Sequence, residues 1–389
     1  MRAQAILLHR LEKELVDVHR ARLKAFFTVV VAVLSSARLS LTTLGRAIAV
    51  GTTHKHGIKR VDRLLGNKHL HREKLLFYRV LARRVLGSLS RPVIAVDWTA
   101  ITPNLWALSA AVRSDGRAVV LYAEAHPISR YNKPYVHAAF LRNLRCVLPS
   151  KSRPIVAADA GFRSPFMKQI ESLNWDYVVR VRKPMILCPA EGRQHWETLT
   201  SFFRRALTTA EDHGLHLLGI RARHLCRIIV IRQIVTHRRG YHRPRRRCDR
   251  AKQRRAAKEP WVLATSLIEA PTFVVLVYSK RMQIEETFRD QKNPRFGFAL
   301  SYANTKNEER ANVLLLIAAF AHLLAMLIGL SAEQAGLHRG YQASTERRRR
   351  VLSLAMLGRL IAVDRLASAL RVALSASSWS ELRAACASP

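Results

Sequence analysis

Apolar positions recur with two different periods along this chain, and the change of period divides it. Over residues 1–90 they return every three to four positions, through Leu7 to Leu34 and again through Leu70 to Leu86, which predicts helices. Between those runs Leu41 to Ile48 predicts a short helix, GTTH a turn, and Ile58, Val61 and Leu65 one side of a second short helix. Lys59, Arg60 and Arg63 fall on its polar side. The pattern over 41–66 fits a helix-turn-helix whose second helix enters a major groove, and equally an ordinary helical hairpin with a solvated basic face. From Pro92 the period becomes that of strands: VIAVDWT (93–99), ALSAAV (107–112) and AVVLYAEAH (118–126), with Asp115-Gly116 as the tight turn between the last two. A helix from Tyr135 to Val147, a strand ending at Asp159, a helix opening at Pro165 and a strand DYVVRVRK (176–183) follow. This order predicts an α/β fold, a mixed sheet covered by helices.

Residues 190–260 interrupt the pattern with short β-like runs (LHLLGIRA, RIIVIRQIV) and then a basic run, 236–258, in which Asp249 is the one acid. Such a run is either a solvated charged loop or a phosphate-contacting segment, and its density of Arg favours phosphate. WVLATSL (261–267) is a further strand and Pro271 a helix start, although FVVLV (273–277) is β-branched enough for a strand. Residues 301–389 read as helical. Within them Val313 to Leu330 approaches the length of a bilayer span. With His322 in its middle and no second such run, it is expected to be a buried core helix, with no membrane as partner.

Composition narrows the class. A chain of 389 residues, 49% hydrophobic, has room for two or three domains with proper cores, which excludes a disordered basic tail. The net charge of +39 calls for a polyanion, and nucleic acid suits it better than a membrane surface, which would favour one compact amphipathic element. A ribosomal-type RNA binder would share this charge. Cys146, Cys188, Cys226, Cys248 and Cys386 are odd in number and contain no C-x-x-C, so they indicate neither a disulfide framework nor a zinc ribbon. A reducing cytoplasm is the expected setting. The amino terminus has too short an apolar run for a secretory signal, and no export is expected.

The chemistry concentrates in YSKRMQIEETFRDQKNP, 278–294. At about 100° per residue Tyr278, Arg281, Glu285 and Lys292 fall within an arc of roughly 60°, while Glu286 is turned away. Taken alone, the stripe could be a solvated face with an Arg281–Glu285 pair. Asp97 is expected at the end of the first strand and Asp159 at the end of the fourth, with Glu285 on a helix packing across the same edge. Each aspartate alone could be a strand-end turn residue. Three converging carboxylates would need cations to neutralise them, and two divalent metal ions suit phosphoryl transfer.

With these residues the chain resembles the DDE-class transposases of bacterial insertion sequences, in the group with a Tyr-x2-Arg-x3-Glu-x6-Lys signature, complete here as Tyr278, Arg281, Glu285 and Lys292. The likeness includes VIAVDWT, ADAGFRSP, WVLATSL and RMQIEETFRDQK. It implies an RNase H-like mixed-sheet catalytic domain (91–189 and 261–300) interrupted by a β-rich basic insertion (190–260). The flanks would be a helical DNA-end-binding region (1–90) and a helical carboxy-terminal region (301–389). It further implies cut-and-paste transposition: nicking, hairpin formation and opening, then strand transfer. In that scheme Asp97, Asp159 and Glu285 hold two Mg²⁺ ions, with Mn²⁺ as a substitute. Tyr278, Arg281 and Lys292 bind phosphates, and Trp261 either stacks on a flipped base or is a core tryptophan at a strand start. The implied partners are double-stranded DNA, as terminal inverted repeats and as target, and a second copy pairing two ends. The setting would be the bacterial cytoplasm, at the nucleoid.

Three rivals use other residues. His224, Arg227 and Tyr278 would suit a metal-independent tyrosine recombinase. His213, His216, His224 and Cys226 would suit zinc, at irregular spacing. A non-catalytic nucleic-acid-binding protein would use the charge alone.

Overall fold

The computed structural model describes residues 3–36, 38–192, 195–233, 259–295, 297–342, 346 and 349–387. The basic run 236–258 lies outside the described residues. The chain divides into two units, one of residues 1–152 with 282–388 and one of residues 153–281.

The first unit begins with α1 (Ala3–Leu11), α2 (Arg20–Ser36), α3 (Leu41–Ala47), α4 (His54–Leu65) and α5 (Lys68–Leu86). Side chains of Ser40, Thr53 and Asn67 accept from the amides of Thr43, His56 and Leu70, which fixes where α3, α4 and α5 start. A Cβ on Gly57 would lie 2.1 Å from the Gly45 carbonyl oxygen, so α3 and α4 meet at a backbone contact that needs glycine. Helix α4 buries Val61, Leu64 and Leu65 and exposes Lys59, Arg60 and Arg63, while its Asp62 accepts from Arg310 at 2.5 Å.

The expected antiparallel meander forms as β1 (Val93–Ala100), β2 (Leu105–Arg113) and β3 (Ala118–Pro127). Asp97 lies opposite Ser109, well inside β1 rather than at its end, because the strand continues to Ala100. Side chains alternate, so Asp97 and Thr99 share one face and Trp98, Leu108 and Glu124 the other. The second face carries a polar network under α6 (Pro134–Val147). Trp98 Nε1 donates to His137 Nε2 at 3.1 Å, and Tyr122 donates to the buried Glu124, which also accepts from Asn143 at 2.8 Å. His126 bridges Glu124 at 3.3 Å and Glu308 at 3.5 Å.

Burial opposes charging of His126, but the hydrogen bonds and charges of Glu124 and Glu308 outweigh it and raise its pKa above the ordinary 6.5. A group whose pKa is raised on folding adds stability that is complete below the unfolded value and lost as pH rises through the folded one. Thermal melts should therefore show wild type losing stability upward from about pH 6.5, and His126→Gln losing that part of the slope. Equal slopes would remove His126 from the account.

The second unit opens with β4 (Ile155–Ala158), α7 (Ser164–Glu171) and β5 (Asp176–Val181), a parallel pair with its crossover helix. Then come β6 (Ile186–Pro189), β7 (Glu197–Thr198), α8 (Leu199–Arg205), β8 (Glu211–Leu218), β9 (His224–Ile231), β10 (Trp261–Thr265) and α9 (Pro271–Lys280). The strand order is β4-β5-β10-β9-β8-β6-β7. The interrupting strands thus extend the sheet, since β9 pairs with β10. FVVLV is helical: a strand-like composition loses here to the Pro271 start and to burial of Val274, Val277 and Tyr278 on one side.

The chain returns to the first unit with α10 (Gln283–Lys292), α11 (Glu308–Gln334), α12 (His338–Tyr341), α13 (Leu354–Ala373) and α14 (Ala376–Ala387). The stretch expected as one helix from Tyr278 to Lys292 is therefore two, α9 and α10. At the break the Arg281 amide bonds Tyr278 and the Glu285 amide bonds Met282, both three residues back, so the four-residue ladder is interrupted. Helix α11 is long and apolar enough to cross a bilayer, yet 94% of its apolar window is buried inside the fold. Its Phe320 packs on Phe26 with ring centroids 5.3 Å apart, and Asn312 Oδ1 accepts from the Ala125 amide at 2.8 Å.

Candidate active-site residues

Asp159 follows β4, whose four residues are all buried, so the carboxylate sits where the chain leaves the sheet. Tyr278 donates from its hydroxyl to Asp159 Oδ1 at 3.3 Å, and Arg182 Nη1 lies 3.9 Å from Oδ2. Burial alone would raise the Asp159 pKa, but Arg281, Arg182, the Ala160 amide and Arg180 outweigh it and hold the carboxyl below its ordinary value. Asp159 is therefore an anion at neutral pH.

The Tyr278 ring meets Trp261 edge-on with centroids 4.7 Å apart, and the Arg281 guanidinium lies over it, 5.8 Å from the ring centroid. Burial pushes its hydroxyl up to about 12, so it is a hydrogen-bond donor and not an anionic nucleophile at neutral pH. Beside Asp159, a cavity of about 180 Å³ is lined by Arg163, Arg180, Arg182 and Lys183 over Phe162 and Met167. Arg180 and Arg182 belong with this group, and the sequence reading passed over them. Their signal was present, because positions 180 and 182 alternate onto one face of DYVVRVRK.

In the first unit Lys292 Nζ donates to Thr99 Oγ1 at 2.7 Å. Burial lowers the Lys292 pKa and the charge of Asp97 opposes that, so Asp97, Thr99 and Lys292 form a second group of neighbours. Thr99 is the residue missed here, two positions after Asp97 and on its face. Asp97 is half-buried, and one of its oxygens accepts from the Trp98 amide at 2.8 Å. Glu285 is exposed in the first turn of α10. The structure thus gathers Asp159, Tyr278, Arg281 and Trp261 in one unit and Asp97 with Lys292 in the other, which also holds Glu285.

Residues of two rival readings are engaged elsewhere. His224 meets the Tyr177 hydroxyl at 2.9 Å and is lowered to about 4 by burial, while Arg227 pairs with Asp212 at 2.7 Å and donates to the carbonyls of Leu267 and Glu269. His216 faces Cys226 across β8 and β9. Among the described residues no group of three or more His, Cys, Asp or Glu is arranged to hold a metal ion.

The family model described as Transposase DDE domain matches residues 89–324 of the chain. That span contains Asp97, Asp159, Trp261, Tyr278, Arg281, Glu285 and Lys292. No curated protein matches the chain.

Proposed function

The chain belongs to the transposase DDE domain family, and from that premise we propose a metal-dependent cut-and-paste transposase acting on the ends of an insertion sequence. The observation that carries this reading is the grouping of an ionised Asp159 with Tyr278, Arg281 and Arg182. Ion-paired carboxylates are common, but one flanked by several arginines and a tyrosine at a strand end suits a phosphodiester.

Asp97, Asp159 and Glu285 are the carboxylates we assign to a pair of divalent ions. Their chemistry fits: Mg²⁺ takes hard oxygen donors, keeps several waters, and is usually bound through one or two carboxylates plus substrate phosphate oxygens, so it needs no preformed protein cage. When bound, such ions supply Lewis acidity to the scissile phosphate and lower the pKa of an attacking water. The chain's own residues do the rest. Arg281, Arg182 and Lys292 offer positive charge to phosphate oxygens, and the Tyr278 hydroxyl offers a hydrogen bond beside Asp159. Trp261 offers an indole face to an unstacked base. Water and then the freed 3′-hydroxyl are the nucleophiles, giving a nick, a hairpin, a reopened end and a joined target strand.

We read the meander with β4 and β5 as RNase H-like, and β6 to β9 as the family's inserted strands. Lys59, Arg60 and Arg63 are assigned to end recognition and a second copy to pairing of the two ends.

The test is excision from a plasmid carrying the DNA ends that flank the gene. Excision with hairpin intermediates is expected in Mg²⁺ and none in EDTA. Activity that persists in EDTA, or a trapped covalent protein–DNA adduct, would replace this mechanism with a phosphotyrosine one.

A further inference from the structure

Helix α10 has a second stripe, opposite the one that bears Glu285 and Lys292. Gln283, Thr287 and Asp290 are spaced i, i+4, i+7 and so lie within about 60° of one another, roughly 180° around the helix from Glu285. All three are spent on the turn that joins β2 to β3. With its side-chain amide assigned the orientation that satisfies both groups, the Gln283 nitrogen donates to the carbonyls of Ser114 and Arg117, each at 2.9 Å. The Thr287 hydroxyl is fully buried, accepts from the Ala118 amide and donates to the Ala118 carbonyl, both at 2.8 Å. Asp290 takes a forked pair from Arg117, at 2.7 Å from Nε and 3.5 Å from Nη2.

Asp290 is also fixed from behind. His322, in the middle of the apolar α11, lies 4.0 Å from it, and the Asp290 carbonyl accepts from the Phe298 amide at 3.0 Å. Arg359 donates to the neighbouring Gly297 carbonyl at 2.7 Å. A short polar helix of ten residues has little intrinsic stability and a small apolar face, so these bonds rather than packing define its rotation.

We infer that Asp290 and Arg117, with Gln283 and Thr287, are positioning residues for the reaction: they clamp one side of α10 to the β2–β3 turn and thereby fix where the opposite side presents Glu285 and Lys292. This rests on the assignment of Glu285 to the chemistry. A forked arginine–carboxylate pair is directional, which is what setting a rotation requires. Losing it lets the helix turn about its axis, and a turn of one residue position, about 100°, would carry Glu285 away from its partners.

The experiment uses the full-length protein with plasmid-borne ends and measures single-turnover cleavage, end binding and thermal melting for Asp290→Asn, Arg117→Gln, Arg117→Lys, the swapped pair Arg117→Asp with Asp290→Arg, and Glu285→Gln. Asp290→Asn and Arg117→Gln are expected to slow cleavage at least tenfold with end binding within about twofold of wild type. Arg117→Lys should recover part of the rate, and the swapped pair should cleave faster than Arg117→Asp and Asp290→Arg, each measured alone beside it. A residue that only holds the fold would lose binding and cleavage together as the melting temperature falls. Should Asp290→Asn fail to fold, the partly exposed Arg117 decides: folded Arg117→Gln cleaving at wild-type rate overturns the inference. If Glu285→Gln itself cleaves normally, the assignment beneath the inference has failed. If only Glu285→Gln is inactive, the assignment stands and the clamp does not.

Discussion

Glu285→Gln should give a folded protein that binds transposon ends as wild type does and has lost strand cleavage by roughly a thousandfold or more. Among the three assigned carboxylates it gives the cleanest separation of chemistry from stability. Asp159 is entangled with Tyr278 and Arg182, and Asp97 shares its surroundings with the half-buried Lys292, so substitutions there also disturb local packing. Glu285 is exposed, and exposed substitutions usually shift stability by no more than about 0.5 kcal/mol. Glutamine keeps the shape and one carbonyl oxygen but removes the negative charge, the property a divalent cation requires. Single-turnover cleavage and gel-shift binding on the same preparation make the comparison. Cleavage near the wild-type rate would take Glu285 out of the site. Lost binding together with a lowered melting temperature would make it a structural residue.

The meander and its tight turn were legible because short, nearly continuous apolar runs and Asp115-Gly116 are local signals, and local signals survive into the structure. The buried nature of Val313 to Leu330 was legible for a different reason: a charged face is missing and His322 interrupts the run, which a core helix tolerates when a carboxylate such as Asp290 is near. The break at Arg281 and Met282 was not legible. A helical wheel assumes an unbroken ladder, and nothing in YSKRMQIEE, free of Gly and Pro, announces an interruption. The strand over 93–99 was legible to within one residue, but Asp97 was wrongly placed at its end: Trp98, Thr99 and Ala100 stay in β1 through pairing with Leu108, Ala107 and Trp106, partners that sequence spacing alone does not identify. Of the site, the residues with a fixed spacing could be named in advance. Arg180 and Arg182 were marked only as one face of DYVVRVRK, with nothing local to tie that face to Asp159, and Thr99 was not marked at all, since its relevance depends on α10 bringing Lys292 to it. The clamp on α10 was also hidden, although Gln283, Thr287 and Asp290 form as regular a stripe as the signature itself. Polar stripes usually face water, and only the β2–β3 turn bonded to this one shows otherwise.

Gly358→Ala should destabilise the protein by about 3 kcal/mol. Helices α11 and α13 cross so closely that a Cβ on Gly358 would lie 1.8 Å from the Ala325 carbonyl oxygen, and one on Gly329 would lie 2.0 Å from that of Leu354. Two effects compete. Alanine is the better helix former by about 1 kcal/mol, which favours the variant. The overlap is with backbone on an opposing helix, which cannot rotate aside as a flexible side chain could, so the helices must separate by more than an ångström and loosen their contacts along α11. The second effect is larger because α11 carries Phe320 into the aromatic core, ties β3 through Asn312 and reaches Asp290 through His322. Denaturant unfolding should show the loss, with Val372→Ala, an exposed position on the same helix, within about 0.5 kcal/mol of wild type as the control. The functional consequence differs in kind from that of Glu285→Gln: binding and cleavage should decline together as the folded fraction falls. A Gly358→Ala protein as stable as wild type would mean that the two helices have room to part, and the close crossing would then carry no weight in the fold.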